Sequence, residues 1–212
     1  VYGAYTALVY ATPFIGGILA DKLLGARRAV IIGGILMSAG HLLMTIETSW
    51  AFFTALALLI VGNGFFKPNI STIVGGLYPP GSPKKDAGFT LFYMGINLGA
   101  AMSPLLCGYI GETYGWHNGF GLATFGMITG LVVFAAPRRV AQAIVLVGCV
   151  AAAVSLFIFQ NNVYQLVVNG VVAMAMLAAG IVGTIALQRG GVPHDAGAPK
   201  NTEAAKQHAW KV

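Results

Sequence analysis

Charge is what this 212-residue chain has least of: 8% of its residues are charged and 57% are hydrophobic. Soluble domains carry about 25% charged residues, so the composition excludes a soluble globular domain and makes this an integral membrane protein. Cysteine is nearly as scarce. Cys107 and Cys149 stand in different apolar runs, far from any CxxC or Cys/His spacing, so neither a disulfide framework nor a metal site is indicated and both read as buried thiols. Acidic residues are confined to loops, span ends and the tail. Without paired intramembrane carboxylates, HExxH, GxSxG or a phosphate-cradling GxxxxGK(S/T), no enzyme signature is present. The net charge of +6 would suggest nucleic acid in a soluble protein, but the basic residues cluster in short loops between apolar runs, where topology explains them. No nucleic-acid partner is expected.

What the chain does have is apolar length. Runs at about 3–20, 29–46, 51–76, 89–111, 119–136, 140–160 and 163–187 each approach the roughly 20 residues that cross a bilayer as helix, which predicts an all-α protein with about seven spans. The loops alternate in charge. Lys22, Arg27 and Arg28 follow the first span, Lys84 and Lys85 the third, Arg138 and Arg139 the fifth, and Arg189, Lys200, Lys206 and Lys211 the seventh. The intervening loops hold Glu47 and Glu112 and no Lys or Arg. The positive-inside rule makes the basic side cytoplasmic. Val1 then lies outside, and with neither an initiator Met nor a signal peptide before it, one more helix is expected upstream. Residues 189–212 turn polar and rich in Gly and Pro, reading as a cytoplasmic linker or tail, with truncation suspected there too.

Lys67 stands apart from every other Lys and Arg because it lies inside a span, in Gly62-Asn63-Gly64-Phe65-Phe66-Lys67-Pro68-Asn69. At 1.5 Å per residue it sits roughly 16 Å from the cytoplasmic end of that span. Such a cation costs about 2.5–3.5 kcal/mol unless it faces a wet cavity or an acidic partner, which points to function. Snorkelling along a tilted helix is the bland alternative. Asn63, Lys67 and Ser71 follow at i, i+4 and i+8, Pro68 frees the Gly64 carbonyl, and Gly62 and Gly64 soften the turn, suggesting a polar face on a bendable helix. Asp21 among Lys22, Arg27 and Arg28 reads as a charge cluster on a cytoplasmic gate or as plain anchoring, while Gly16 and Gly17 let helices close on each other. Tyr93 and Asn97 lie four apart, as do Thr6 and Tyr10. Asn97 can contact a peptide-like or carboxylate ligand, but its spacing alone favours interhelical glue. His41 reads as a satisfied core group rather than a proton carrier. Gly95/Gly99 and Gly126/Gly130 are GxxxG pairs, each weak alone in a chain with 29 glycines.

Together these phrases resemble a known family. Gly17 to Arg28 is similar to the loop signature between the second and third helices of the major facilitator superfamily. The phrase from Gly62 to Ser71, and Phe89-Thr90-Leu91-Phe92-Tyr93-Met94-Gly95-Ile96-Asn97-Leu98-Gly99, closely resemble two signatures of the proton-dependent oligopeptide transporters. The match runs from about Tyr10 to Phe134. It implies a fragment of such a transporter, with 1–137 as helices two to six of the N-terminal bundle and 138–188 as the helix pair that bacterial members insert between bundles. It also implies symport of di- and tripeptides with protons across the cytoplasmic membrane by alternating access, with protons as coupling ion and no other cofactor. Tyr10, Lys67 and Asn97 would contact the peptide, Lys67 would also couple to the proton, and Asp21, Lys22 and Arg27 would form the gate. Three departures stand out: the ExxER-type motif of the first helix is absent, so is the entire C-terminal bundle, and the link from Phe134 to Ala141 is shorter than the family pattern, as though residues were missing. The alternatives are a member carrying nitrate or another small anion, and a helical scaffold that moves nothing.

Overall fold

The computed structural model describes residues 2–79, 81–158 and 163–189, and part of the side chains in the last two helices. Every regular element among them is helical: α1 (Tyr2–Leu19), a π-helical turn (Ala20–Leu24), α2 (Ala26–Leu43), α3 (Ser49–Gly76), α4 (Lys84–Tyr114), α5 (Trp116–Ala135), α6 (Arg138–Ile158) and α7 (Val163–Arg189). Among the described residues five helical stretches, from Tyr2 to Ala135, are long and apolar enough to cross a membrane. α6 and α7, at 21 and 27 residues, also have crossing length. The tail expected beyond Arg189 lies outside the described residues.

The helix ends correct one sequence expectation. Lys22 to Arg28 is not an open loop: Asp21 and Lys22 lie in the π-turn, Arg27 and Arg28 in the first turn of α2, and Gly25 is the one residue between. Gly25 holds φ 77°, a left-handed backbone that glycine adopts without cost, and its N–H reaches the Ala20 carbonyl at 2.8 Å. That single residue reverses the chain.

Two compact units divide the chain at Leu131/Val132. In the first, α3 packs between α1 and α2. α2 buries Ala26, Val30, Gly33 and Gly40, and α3 buries Ala51, Ala55, Leu59, Gly62, Asn69 and Ile73, spacings of three, four or seven that line up one face of each helix. Small residues dominate because lipid supplies no hydrophobic drive, so close backbone approach has to do the work. A Cβ on Gly33 would come within 2.7 Å of the Gly62 carbonyl oxygen, and one on Gly40 within 2.9 Å of Leu59 Cγ. Neither GxxxG pair takes part in this packing. A Cβ on Gly95, Gly99, Gly126 or Gly130 would meet nothing within 4 Å. In the second unit α6 and α7 form an antiparallel hairpin. Arg138 Nη1 donates to the Gln188 carbonyl at 2.9 Å, Gln142 Nε2 to the Thr184 carbonyl at 3.1 Å, and Gly180 lies against Cys149. Both cysteines are free and half-buried rather than buried.

Candidate functional site

Thr12 meets Ile60, Gly16 meets Gly64 and Gly17 meets Pro68, so α1 and α3 run parallel. The closest point is Gly16, where an added Cβ would land on the Gly64 carbonyl oxygen, the acceptor that Pro68 leaves without its usual i+4 donor. Two side chains stitch this seam. Thr12 Oγ1 donates toward the Ile60 carbonyl at 3.0 Å while lying 2.9 Å from the Leu8 carbonyl, and Asn63 Nδ2 donates to the Val9 carbonyl at 3.0 Å. Below the proline Asn69, 2% exposed, donates to the Phe65 carbonyl at 2.8 Å.

At the rim of the seam Lys67 Nζ sits over the Tyr10 ring, 5.0 Å from its centroid. That is within cation–π range, where an exposed contact is worth about 0.5–1 kcal/mol. Lys67 is exposed and Tyr10 is 71% exposed, so their polar ends are open to a ligand on this unit. The structure thus brings together two of the three side chains expected to touch substrate. It does not bring the third. Asn97 is exposed on α4 and, among the described residues, makes no side-chain hydrogen bond that would serve the glue role favoured by spacing. α4 meets α3 near the connecting loop instead, where Phe89 approaches Gly75 and the Tyr78 ring covers Gly88. Tyr93 stacks on Phe89 at 6.4 Å and does not pair with Asn97.

The polar face proposed for α3 is also narrower than its spacing suggests. Asn63 is spent on Val9, and Ser71 Oγ turns back to the Lys67 carbonyl at 3.4 Å, leaving the Lys67 ammonium as the group facing outward. Thr6 bonds back to Tyr2 rather than pairing with Tyr10. Thr12 was not singled out in the sequence; its place one turn before Gly16 was the available signal. His41 is not satisfied, since its Nδ1 is buried and without a hydrogen-bond partner among the described residues.

At the turn around Gly25, Asp21, Lys22 and Arg27 are each engaged by a neighbour. At the other end His117 Nδ1 lies 3.7 Å from Glu47 Oε1, which sets the α2–α3 loop beside the α4–α5 turn. These two connections, neither of which holds Lys or Arg, therefore share one side, as their charge pattern required. Among the described residues no cluster of three His, Cys, Asp or Glu could hold a metal ion.

Comparison with known proteins places this geometry. The model of the POT family, PTR2, matches residues 27–164. The peptide transporter YePEPT of Yersinia enterocolitica is 43% identical over 137 residues, covering 63% of this chain and 27% of that protein. The di-/tripeptide transporter of Lactococcus lactis is 42% identical over 135 residues, covering 63% and 27%. Among solved structures, a mutant of a peptide transporter POT in complex with alafosfalin superposes with a TM-score of 0.60 at 46% identity, covering 72% of this chain and 36% of that one. A POT family transporter in complex with 5-aminolevulinic acid gives 0.59 at 40% identity, covering 60% and 26%. The chain spans about a quarter of the length of the curated relatives it matches. With a matched family model over more than half its residues, and described residues that form a helical fold of the major-facilitator type, this chain belongs to the POT family of multi-pass cytoplasmic-membrane transporters.

Proposed function

We propose that this chain is part of a proton-coupled symporter of di- and tripeptides, with no chemistry of an enzyme and with protons as its coupling ion. In this reading α1 to α5 belong to the N-terminal bundle, and α6 with α7 is the inserted pair. The observation that carries it is the Lys67 ammonium held at the open rim of the α1–α3 seam, 5.0 Å over Tyr10. A peptide carboxylate arriving there exchanges a weak cation–π contact for a charge-assisted hydrogen bond, roughly twice the strength of a neutral one. Its partial desolvation offsets part of that gain, which favours reversible binding, as transport requires. Asn97 joins Lys67 and Tyr10 only once the rest of the transporter orients α4. Asp21, Lys22 and Arg27, at the sharp turn around Gly25, form the cytoplasmic gate, and the two bundles rock about the midplane site.

Support from relatives is consistent with peptides: two of them are named as peptide transporters, and the solved structures include one with alafosfalin bound. The test uses the full-length transporter in vesicles with an imposed pH gradient and a labelled dipeptide. Lys67→Gln abolishes proton-driven accumulation while folded yield is kept. Accumulation by well-folded Lys67→Gln at the wild-type rate would overturn the proposal.

A further inference from the structure

We infer that Asn63 is a positioning residue, whose amide fixes Tyr10 beneath the Lys67 ammonium. The acceptor of its 3.0 Å bond is the Val9 carbonyl, and that carbonyl belongs to the same planar peptide as the Tyr10 nitrogen. Asn63 is also one helical turn before Lys67 on α3, so a single helix face carries both the clamp and the cation. One residue thereby ties the backbone of the ring to the helix that supplies the charge. The other bonds of the seam do not do this. Thr12 reaches Ile60, farther from Lys67, and the Gly16–Gly64 approach sets how near the helices come without choosing which α1 side chain faces Lys67.

Sequence spacing assigned Asn63 to a substrate-lining face, and the geometry moves it behind that face. Its amide is directed into the seam, and Tyr10, not Asn63, presents the surface that a ligand meets. Without the Val9 bond α1 can slide or rotate on α3, held by the glycine contact and Thr12. The ring then leaves the ammonium, which loses the platform that pre-orients it. Pre-organisation of this kind raises affinity by lowering the ordering cost of binding rather than by adding a contact.

This inference rests on Lys67 and Tyr10 forming the substrate site, so its test begins without substrate. In the full-length transporter, fluorotyrosine is placed at Tyr10 and its fluorine resonance recorded for wild type, Lys67→Gln, Asn63→Leu and Thr12→Val. The resonance moves in Lys67→Gln because the cation is gone. It moves to nearly the same position in Asn63→Leu, and stays in place in Thr12→Val. Asn63→Ala replaces the leucine variant if that one is recovered unfolded. Dipeptide affinity then weakens roughly three- to tenfold in Asn63→Leu and no further in Asn63→Leu with Tyr10→Ala than in Tyr10→Ala alone. An unmoved resonance in folded Asn63 variants, or losses that multiply in the double variant, overturns the positioning role. A resonance that moves in the Asn63 variants, in a transporter whose wild type binds no dipeptide, would instead overturn the proposed function and leave the clamp standing.

Discussion

Two neighbouring glycines of α1 should respond to the same substitution with opposite sign. Gly→Ala inside a helix ordinarily gains about 0.8–1 kcal/mol from propensity. At Gly17 the new methyl would rest 3.8 Å from Pro68 Cβ, an ordinary van der Waals contact, so the full gain should appear. At Gly16 the methyl falls on the Gly64 carbonyl oxygen and within 2.9 Å of the Phe65 nitrogen. Both obstacles are backbone, and no rotamer change relieves them. Overpacking of this kind costs about 1–3 kcal/mol. Moving the helices apart instead stretches the Thr12–Ile60 and Asn63–Val9 bonds from 3.0 Å, at about 0.6 kcal/mol each for interhelical bonds in membranes. With the propensity gain subtracted from these costs, Gly16→Ala destabilises by up to about 2 kcal/mol and Gly17→Ala stabilises by up to about 1. Thermal unfolding of the detergent-purified full-length variants, followed by intrinsic fluorescence, reads the pair directly. Equal or higher stability of Gly16→Ala relative to Gly17→Ala would show that the α1–α3 seam is not in backbone contact at Gly64.

Lys67→Arg restores little of the proton-driven uptake lost in Lys67→Gln, because a planar fork does not reproduce a compact ammonium over the Tyr10 ring; vesicle uptake measures it, and near-wild-type rates would contradict it. Asp21→Asn leaves the protein folded but shifts it toward one access state, detected by cross-linking across each face; unchanged access on both faces with normal transport would reduce Asp21 to loop polarity. A cysteine replacing Lys85 stays protected from an impermeant thiol reagent applied to intact cells, whereas Glu47→Cys combined with His117→Cys is cross-linked by an impermeant reagent with two thiol-reactive groups; the reverse pattern would invert the topology.

The apolar runs were legible because each helix must satisfy its own backbone in lipid, and that demand is written locally as length and hydrophobicity. Thus the run at 51–76 appears as Ser49–Gly76. Which helix meets which is not written locally. Gly95/Gly99 has the accepted spacing and faces open space, while Gly16 and Gly64, 48 positions apart in sequence, are in backbone contact. The same holds for the site. An intramembrane Lys is conspicuous in any sequence, so Lys67 could be found; that Asn63 serves Val9 instead of a ligand depends on the register between α1 and α3. The helical geometry of Lys22–Arg28 escaped notice because charged residues read as loop, although Gly25 alone completes the turn.

α4 raises a question of fit to the bilayer. Its 31 residues rise about 46 Å, against a hydrocarbon core of about 30 Å. Even the steepest common inclination, about 40°, absorbs only some 11 Å of that excess, so the Lys84-Lys85-Asp86 turn must ride in the headgroup layer. Among the described residues the contacts of α4 lie towards its ends, and Gly111 is the one buried residue along it. The inclination of this helix is therefore sensitive to membrane thickness, and a thinner bilayer would swing Asn97 through an arc while Lys67 and Tyr10, pinned in their seam, stayed in place.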